Sequence, residues 1–185
     1  MAVAANRWAS VRRQDATTAF ERLFAAEYAR VVAIAQRVLA DAHEAEDAAQ
    51  EVFYAFHRQH NADAPFAAAW LHAAAAHTAL NIVRGKRRRA RRETAEALAG
   101  ARLQESDEAA LDPQRALERA ERCREVREAL GRLQERQAAV LALRYSGLSY
   151  ADVSSALGIP ADQVGTVLRR AELALRKEMT VEPHR

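Results

Sequence analysis

Apolar residues recur at helical spacing through the first half of the chain. Between residues 16 and 40 they fall on one helical face, which comprises Phe20, Leu23, Phe24, Val31, Ile34 and Val38. After a break at 41–43, a second helix is predicted over 44–59, and a third from about Phe66 into a run of basic residues. The Asn, Asp and Pro content of 61–65 indicates a loop. Residues 1–15 are polar and are predicted to be frayed.

The second half continues the helical pattern. Asp112 followed by Pro113 has the sequence of a helix start, with an N-cap residue and then a first-turn proline. The helix that follows has an apolar stripe of Leu117, Ala120, Cys123, Val126, Leu130 and Leu133. Cys123 is therefore predicted to lie in the core. A further helix is predicted over 135–145, and no stretch alternates as a strand does.

The segment from Gly147 to Ala171 has the helix start and stop signals of a helix-turn-helix. Ser149 stands at an N-cap with Asp152 three residues later, which is a capping-box arrangement. Gly158 suits a left-handed helix end, and Pro160 suits the start of the next helix. Such a pair of short helices can hold the second helix against base edges, although a plain helical hairpin would look similar.

Composition agrees with a helical fold, because half the residues are hydrophobic, many are alanine, and there are 6 glycines and 4 prolines. We predict an all-α protein with two small helical domains, 16–92 and 113–179, joined by an acidic linker, 93–112. The single cysteine excludes an internal disulfide framework. Since neither a signal peptide nor a membrane-length apolar run is evident, we expect a cytoplasmic protein without membrane insertion.

Charge is distributed unevenly along the chain. The formal net charge is +3, yet residues 84–92, RGKRRRARR, are basic at seven of nine positions. A solvated helix end is the ordinary explanation of a charge run. The mutual repulsion of so many cations favours a polyanion partner such as nucleic acid.

Motifs for covalent chemistry are missing from the sequence. It has no glycine-rich phosphate loop, no CxxC and no HExxH. The spacing of the four histidines between 57 and 77 does not pair two ligands with a carboxylate, so no metal is predicted. The acidic group Glu44, Glu46, Asp47 and Glu51 lies on an exposed helix face without an evident pocket. We therefore expect neither cofactor nor enzyme activity.

Three segments together resemble the extracytoplasmic-function sigma factors, the two-domain initiation subunits of bacterial RNA polymerase. AHEAEDAAQEVFYAFHR, from Ala42, is similar to the polymerase-binding helix of that family. PFAAAWLHAAAAHTALNIVRGKRRR, from Pro65, is similar to the helix that meets the −10 promoter element. The segment from Leu133 to Arg176 is similar to the helix-turn-helix that reads the −35 element. The resemblance implies promoter-specific initiation of transcription, with melting of promoter DNA.

The resemblance also implies partners and contact residues. The partners are the β′ clamp and β flap of core polymerase, promoter DNA and, commonly in the family, an anti-sigma factor. The residues implied in binding the clamp share one helical face and are Asp47, Gln50, Glu51, Tyr54 and Arg58. An ordinary solvated surface is the alternative for that face. The acidic linker is implied to thread the nucleic-acid channel, although a plain spacer is the simpler interpretation.

For the −10 element the resemblance implies base capture and phosphate contacts by Asn61, Trp70, His77, Asn81, Arg84, Lys86, Arg87 and Arg88. Trp70 fits a core position better than a DNA contact. The family usually has Asn in place of His77 and Asp in place of Asn81. The change at 77 is therefore expected to affect base preference.

For the −35 element the implied contacts are Gln163, Thr166, Arg169 and Arg170. The family usually has Lys and Arg where this chain has Gly165 and Val167. The loss of these donors predicts weak or unusual −35 recognition. A glycine at 165 would reverse that expectation if it let DNA approach the backbone closely.

Two other functions compete with the sigma-factor hypothesis. The first is a free-standing helix-turn-helix regulator, which would have no use for the Asp47–Glu51 face. The second is a protein-interaction module whose altered recognition helix no longer reads DNA.

Overall fold

The structure is a computed structural model that describes residues 2–96 and 113–180, with side chains described for 18–90, 92 and 118–180. These ranges form seven α-helices and contain no strand. The helices are α1 (Ala2–Leu39), α2 (Ala42–Gln59), α3 (Ala67–Glu96), α4 (Pro113–Arg132), α5 (Glu135–Tyr145), α6 (Tyr150–Leu157) and α7 (Ala161–Thr180). The prediction of an all-α fold with a helix-turn-helix is confirmed. The predicted cap Asp112 and most of the predicted linker lie outside the described residues.

The first helix is longer than predicted. α1 begins at Ala2, so the expectation that residues 1–15 are frayed is wrong for residues 2–15. That segment is rich in alanine and arginine and has neither glycine nor proline, so nothing in it stops a helix. The break before α2 is also shorter than the predicted 41–43, because only Ala40 and Asp41 separate α1 from α2. Ala40 makes the turn with a left-handed φ of 54°. Asp41 then caps α2 by accepting a hydrogen bond from Glu44 N at 3.0 Å.

The helices α1, α2 and α3 pack on one another around large apolar side chains. The residues that are fully buried there include Val31, Ile34, Val38, Val52, Phe56, Leu71 and Leu80. One polar contact crosses this core, where His72 Nε2 lies 2.8 Å from Glu27 Oε2. His72 is buried and Glu27 is half-buried, and the contact gives the buried imidazole a polar partner that it would otherwise lack.

The helices α4 to α7 form the second half around α5. Six successive residues of α5, Ala138 to Leu143, are buried. Arg132 ties α4 to α7, because its guanidinium donates to the Glu178 carboxylate at 2.7 Å and to the Glu178 carbonyl at 2.8 Å. Tyr145 OH donates to Glu172 at 3.0 Å, and this hydrogen bond raises the pKa of Tyr145 above its ordinary value.

The prediction that Cys123 lies in the core is wrong. Cys123 is exposed, as are all residues from 118 to 125, and burial on α4 begins only near its end, at Ala129. Along the described part of the stripe, Ala120 and Cys123 are exposed, Val126 is half-buried and Leu130 is buried. Cys123 instead lines an open cleft of about 710 Å³ beside Val38, Val126 and Leu175.

The two halves share one continuous hydrophobic core. α3 contacts α4, α5 and α6, and α1 contacts α5. The buried residues of both halves form a single cluster that runs from Val31 to Ala171. The division into two domains at 16–92 and 113–179 stays a prediction, and the structure shows those two parts of the chain packed together.

Candidate polymerase and nucleic-acid interface

The exposed face of α2 gathers the residues predicted to bind polymerase. Its opposite face is buried through Ala45, Ala48, Ala49, Val52, Phe53 and Phe56. We call the exposed face the α2 stripe, and its members are Asp47, Gln50, Glu51, Tyr54 and Arg58, all of them exposed. The Tyr54 ring is 63% exposed and lies 5.6 Å from the Arg58 guanidinium. Exposed tyrosine and arginine side chains are enriched at protein–protein interfaces, so this pair favours a protein-binding role for the face.

A groove of about 750 Å³ separates the α2 stripe from the basic end of α3. Its α2 wall is acidic, with Glu44, Asp47 and Glu51, and its α3 wall carries Lys86 and Arg89. The Lys86 ammonium is paired with the Glu44 carboxylate across the groove. The predicted polymerase surface and the predicted −10 surface are therefore neighbours.

The loop between α2 and α3 is held by its own polar groups. Asn61 Oδ1 accepts a hydrogen bond from Asp63 N at 3.1 Å, which is an Asx turn. Trp70 is half-buried, with ring centroids 5.4 Å from Phe56 and 5.0 Å from His60. This packing agrees with the core position that the sequence favoured for Trp70.

An aromatic side chain that sequence reasoning missed stands on the same loop. Phe66 is 48% exposed and meets His60 edge-on at 5.5 Å. Its position directly after Pro65, outside the helical stripe, was the available signal. An exposed ring supported from behind by other rings can stack on a base.

The predicted −10 residues on α3 differ in their accessibility. Asn81, Lys86 and Arg88 are exposed, whereas Arg84 and Arg87 are half-buried. Arg84 Nη2 donates to the carbonyl of Leu133 at 3.1 Å. His77 Nδ1 is buried 2.8 Å from Glu135 Oε1, but the contact falls outside hydrogen-bond geometry. The second half of the chain therefore already engages two predicted DNA-binding side chains.

The helix-turn-helix has the local geometry that its sequence predicted. Ser149 Oγ accepts from Asp152 N at 3.1 Å, while the Asp152 carboxylate accepts from Ser149 N at 3.1 Å. The capping box is complete, and its hydrogen bonds from Ser149 lower the pKa of the Asp152 carboxyl. Gly158 ends α6 with a φ of 60°. Pro160 was predicted to be the first residue of the next helix, but α7 begins one residue later, at Ala161.

The outer face of α7 carries the residues predicted to read the −35 element. Gln163, Thr166, Arg169 and Arg170 are all exposed. The opposite face is buried through Val164, Leu168 and Ala171, which hold α7 against α5 and α6. A rigid helix with one polar face outward is the form that a major-groove reader requires.

Gly165 and Val167, the two positions of α7 where the family usually has Lys and Arg, have different structural surroundings. A Cβ added to Gly165 would lie 3.5 Å from Cε2 of Tyr150, so the Tyr150 ring already covers the backbone there. That cover argues against close approach of DNA to the Gly165 backbone. Val167 is half-buried and packs against the hydrophobic core. Sequence reasoning missed Tyr150, which is 44% exposed and lies under the Arg144 guanidinium at 5.5 Å from its ring centroid.

Comparison with known proteins gives the family. Residues 23–89 match the family model for sigma-70 region 2, and residues 123–175 match that for sigma-70, region 4. Over 178 residues the chain is 33% identical to the RNA polymerase sigma-H factor of Pseudomonas aeruginosa, which covers 91% of this chain and 90% of that protein. The chain belongs to the sigma-70 family.

The sigma-factor identity confirms the predicted function, which is promoter-specific initiation of transcription with RNA polymerase. The two matched regions contain the three segments on which the predicted resemblance rested, apart from the last residue of the third. Among solved structures, the chain is similar to the sigma factor RpoE of Bartonella quintana, crystallised in complex with the anti-sigma factor NepR. That similarity has 18% identity and a TM-score of 0.43, and covers 92% of this sigma factor and 98% of that chain.

The region matches fit the helices of this sigma factor. The region 2 match runs from α1 through α2 to Arg89 in α3. The region 4 match covers the second half of α4, all of α5 and α6, and α7 as far as Leu175. Within the described residues, no helix is both long enough and apolar enough to cross a bilayer. Those same residues hold no cluster of three or more His, Cys, Asp or Glu side chains suited to a metal ion.

Proposed function

We propose that three surfaces of this sigma factor divide the work of initiation. The α2 stripe binds the clamp of core polymerase, α3 and the loop before it bind the −10 element, and α7 binds the −35 element. The observation that carries the assignment is the α2 stripe, because five predicted polymerase-binding residues are exposed together around Tyr54. A free-standing DNA-binding regulator has no use for such a face.

The −10 role of α3 rests on charge and on position. Lys86, Arg88, Arg89 and Arg92 are exposed along the helix, where they can follow a phosphate backbone. Asn81 is exposed one to two turns earlier, on a helix that also adjoins the loop with Phe66. Cations toward one end of α3 and an exposed ring at the other give separate contacts for the phosphates and for a base of single-stranded DNA.

The −35 role of α7 rests on its rigid support and its exposed polar face. Gln163 can read an adenine by two hydrogen bonds, and Thr166 can contact a thymine methyl group or a phosphate. Arg169 and Arg170 are exposed one turn later and supply cations for the backbone. With Gly165 covered by Tyr150, we expect −35 binding that is weak for the family.

The remaining assignments follow from these roles. Residues 16–92 and 113–179 act as the two functional domains, joined by the linker at 93–112. Sigma factors are regulatory subunits, and this one binds its partners without covalent chemistry of its own. We place it in the bacterial cytoplasm, where its polymerase and promoter partners are found.

Run-off transcription with purified bacterial core polymerase tests the proposal on DNA fragments of the source genome. The double substitution Gln50→Ala and Glu51→Ala should abolish promoter-dependent transcripts and co-elution with core polymerase. Gln59→Ala is the matched control, because Gln59 is exposed on α2 outside the stripe. Transcription by the double variant at the wild-type level would overturn the polymerase role of the α2 stripe.

A further inference from the structure

The apolar stripe of α4 is only partly covered by the rest of the fold. Cys123, Val126 and Leu130 follow one another at spacings of three and four residues and so share one side of the helix. Burial increases along them from the exposed Cys123 to the buried Leu130. All three line the open cleft of about 710 Å³. None of the residues proposed to contact polymerase or promoter DNA lines that cleft.

The other helices contribute mostly aliphatic side chains to the inside of the cleft. Val38 of α1 and Leu141 of α5 are buried where they line it, and Leu175 of α7 is half-buried. Among the described residues in the lining, the single aromatic ring is that of Tyr145, and its hydroxyl group donates to Glu172 at 3.0 Å. A hydrocarbon chain that enters the cleft therefore meets apolar groups, and burial of its methylenes favours binding.

The charged residues of the cleft are mainly cations. Four arginines and one glutamate line it, so its net charge is positive, and these residues are Arg37, Arg119, Arg122, Arg127 and Glu118. Arg37 and Arg122 are exposed, whereas Arg127 is half-buried and donates to the Leu39 carbonyl at 2.9 Å. Like charges at one cleft repel one another, and a bound anion relieves that repulsion. Cations beside apolar groups therefore complement a ligand with a hydrocarbon chain and an anionic head group.

The size and the position of the cleft are those of a small-molecule site. Such sites typically have volumes of about 300–1,000 Å³ and often lie where two parts of a protein meet. The volume of about 710 Å³ falls within this range. Arg37 and Val38 belong to the region 2 match, whereas the lining residues from Cys123 to Leu175 belong to the region 4 match. A ligand bound there contacts both parts of the chain at once.

We propose that this cleft is a binding site for a medium-chain fatty carboxylate. The chain lies against Val126 and Leu141, and the carboxylate lies among the arginines. A guanidinium can bind a carboxylate by two parallel hydrogen bonds, which fixes the head group. The chain needs no directional contact, and each methylene that leaves water for the cleft tightens binding by up to about fourfold.

Isothermal titration calorimetry of the full chain with dodecanoate, kept below its micelle concentration, tests the proposal. We expect one dodecanoate to bind per protein molecule. Hexanoate should bind at least a hundredfold more weakly, because fewer methylenes enter the cleft. The uncharged 1-dodecanol should bind at least tenfold more weakly, because it gives the arginines no anion. Absence of dodecanoate binding, or equal binding of the alcohol, would overturn the proposal.

Removal of two arginines tests the site of the head group. The double substitution Arg37→Ala and Arg122→Ala should weaken dodecanoate binding at least tenfold, because both guanidinium groups line the cleft. The matched control is Arg124→Ala with Arg136→Ala, since these two arginines are exposed and do not line it. The control should bind dodecanoate as the wild type does. An equal loss in both double variants would overturn the site, because overall charge would then explain the binding.

Cys123 reports occupancy of the cleft directly, because it is the single cysteine of the chain and lines the cleft. Saturating dodecanoate should slow the alkylation of Cys123 by N-ethylmaleimide at least fivefold. The control variant carries Cys123→Ser and Ala120→Cys, since Ala120 is exposed on α4 and does not line the cleft. Alkylation of the thiol introduced at position 120 should keep its rate. Equal rates for Cys123 with and without dodecanoate would overturn the proposed position of the ligand.

A larger side chain inside the cleft should exclude the hydrocarbon chain. Val126→Trp adds bulk at a half-buried position of the lining, whereas Glu125→Trp adds the same bulk at an exposed position outside it. Dodecanoate at a hundred times its Kd should raise the Tm of the wild type and of Glu125→Trp by roughly 5–10 °C. It should leave the Tm of Val126→Trp unchanged. An equal rise in a Val126→Trp variant with native circular dichroism would overturn the site.

Discussion

The two proposed DNA-binding surfaces of this sigma factor are built by different physical means. α3 is a helix of 30 residues whose C-terminal part is crowded with arginines, and part of its DNA side is covered by the second half of the chain. α7 has 20 residues, with two arginines on a fully exposed face, and is held by a capped and tightly turned partner helix. The proposed −10 surface depends on charge density and is partly covered by the second half, whereas the proposed −35 surface depends on rigidity and is exposed.

This contrast fits the task of each surface. A melted strand has no fixed shape, so long-range attraction and stacking are what can capture it. A duplex has a fixed groove, so a preorganised helix can read it at low entropic cost.

Removing charge from the −10 surface should have the largest effect. Arg88, Arg89 and Arg92 are exposed, and their combined substitution by alanine removes three candidate phosphate contacts. We expect −10 strand capture by the holoenzyme to fall on the order of tenfold to a hundredfold, with the salt slope reduced by about 2–3. Filter binding over a series of salt concentrations measures both quantities.

The matched control for that prediction is the triple alanine substitution of Arg124, Arg136 and Arg176. These arginines are also exposed but lie outside α3. If both triple variants lost −10 binding equally, net charge and not the surface of α3 would be responsible. Binding of a −35 duplex by the α3 variant should stay near the wild-type level.

Adding charge to the −35 surface should have a smaller effect of opposite sign. A side chain at Gly165 has ordinary contact distance to Tyr150, so Gly165→Lys fits without displacing it. We expect −35 duplex affinity to rise about threefold to tenfold and the salt slope to steepen by about 1, as for one added phosphate contact. Fluorescence anisotropy with a −35 duplex measures the change.

Gly165→Ala separates the effect of helix propensity from the effect of the added charge in Gly165→Lys. Alanine improves helix propensity by about 1 kcal/mol without adding charge. It should leave the salt slope unchanged. A loss of affinity for both variants would instead mean that DNA approaches the backbone at Gly165, the alternative that the sequence left open.

Most helices and the helix-turn-helix could be predicted because their signals are local. The capping box at Ser149, the left-handed Gly158 and the polar stripe of α2 are all set by residues within one or two turns. The misplacement of Cys123 has a different origin. Periodicity identifies which face of α4 is apolar, but only the tertiary arrangement decides how far along the helix that face is covered.

The packing of α3 against the second half had no sequence signal either. In the sequence, Arg84 is one more cation of the basic run. Its acceptor is the Leu133 carbonyl, and since every residue has a backbone carbonyl, the sequence does not single this one out. From the sequence, Gly131 is expected only to weaken α4, whereas in the structure it is the residue of α4 that Val83 and Arg87 of α3 approach. Contacts between distant segments need the folded arrangement to be seen.

The smallest expected effect concerns two helix ends with the same conformation and different residues. Ala40 and Gly158 both take left-handed φ values, of 54° and 60°. An L-residue with a Cβ is disfavoured there by about 1–2 kcal/mol, whereas glycine is not, although glycine costs more unfolded-chain entropy. Ala40→Gly should therefore raise the free energy of unfolding by up to about 1 kcal/mol, while Gly158→Ala should lower it by about 1 kcal/mol.

Urea unfolding followed by circular dichroism measures both changes, with Ala33→Gly as the control because Ala33 is exposed within α1, where glycine should destabilise. Destabilisation by Ala40→Gly would mean that unfolded-chain entropy outweighs the relief of strain. In that case Ala40 is the better residue for the sharp turn into α2. If Ala40→Gly stabilises as expected, the turn that aims the α2 stripe is held by surrounding packing at the expense of local backbone preference. The turn before α7 would then differ from the turn before α2, because Gly158 favours the left-handed conformation that it adopts and Ala40 does not.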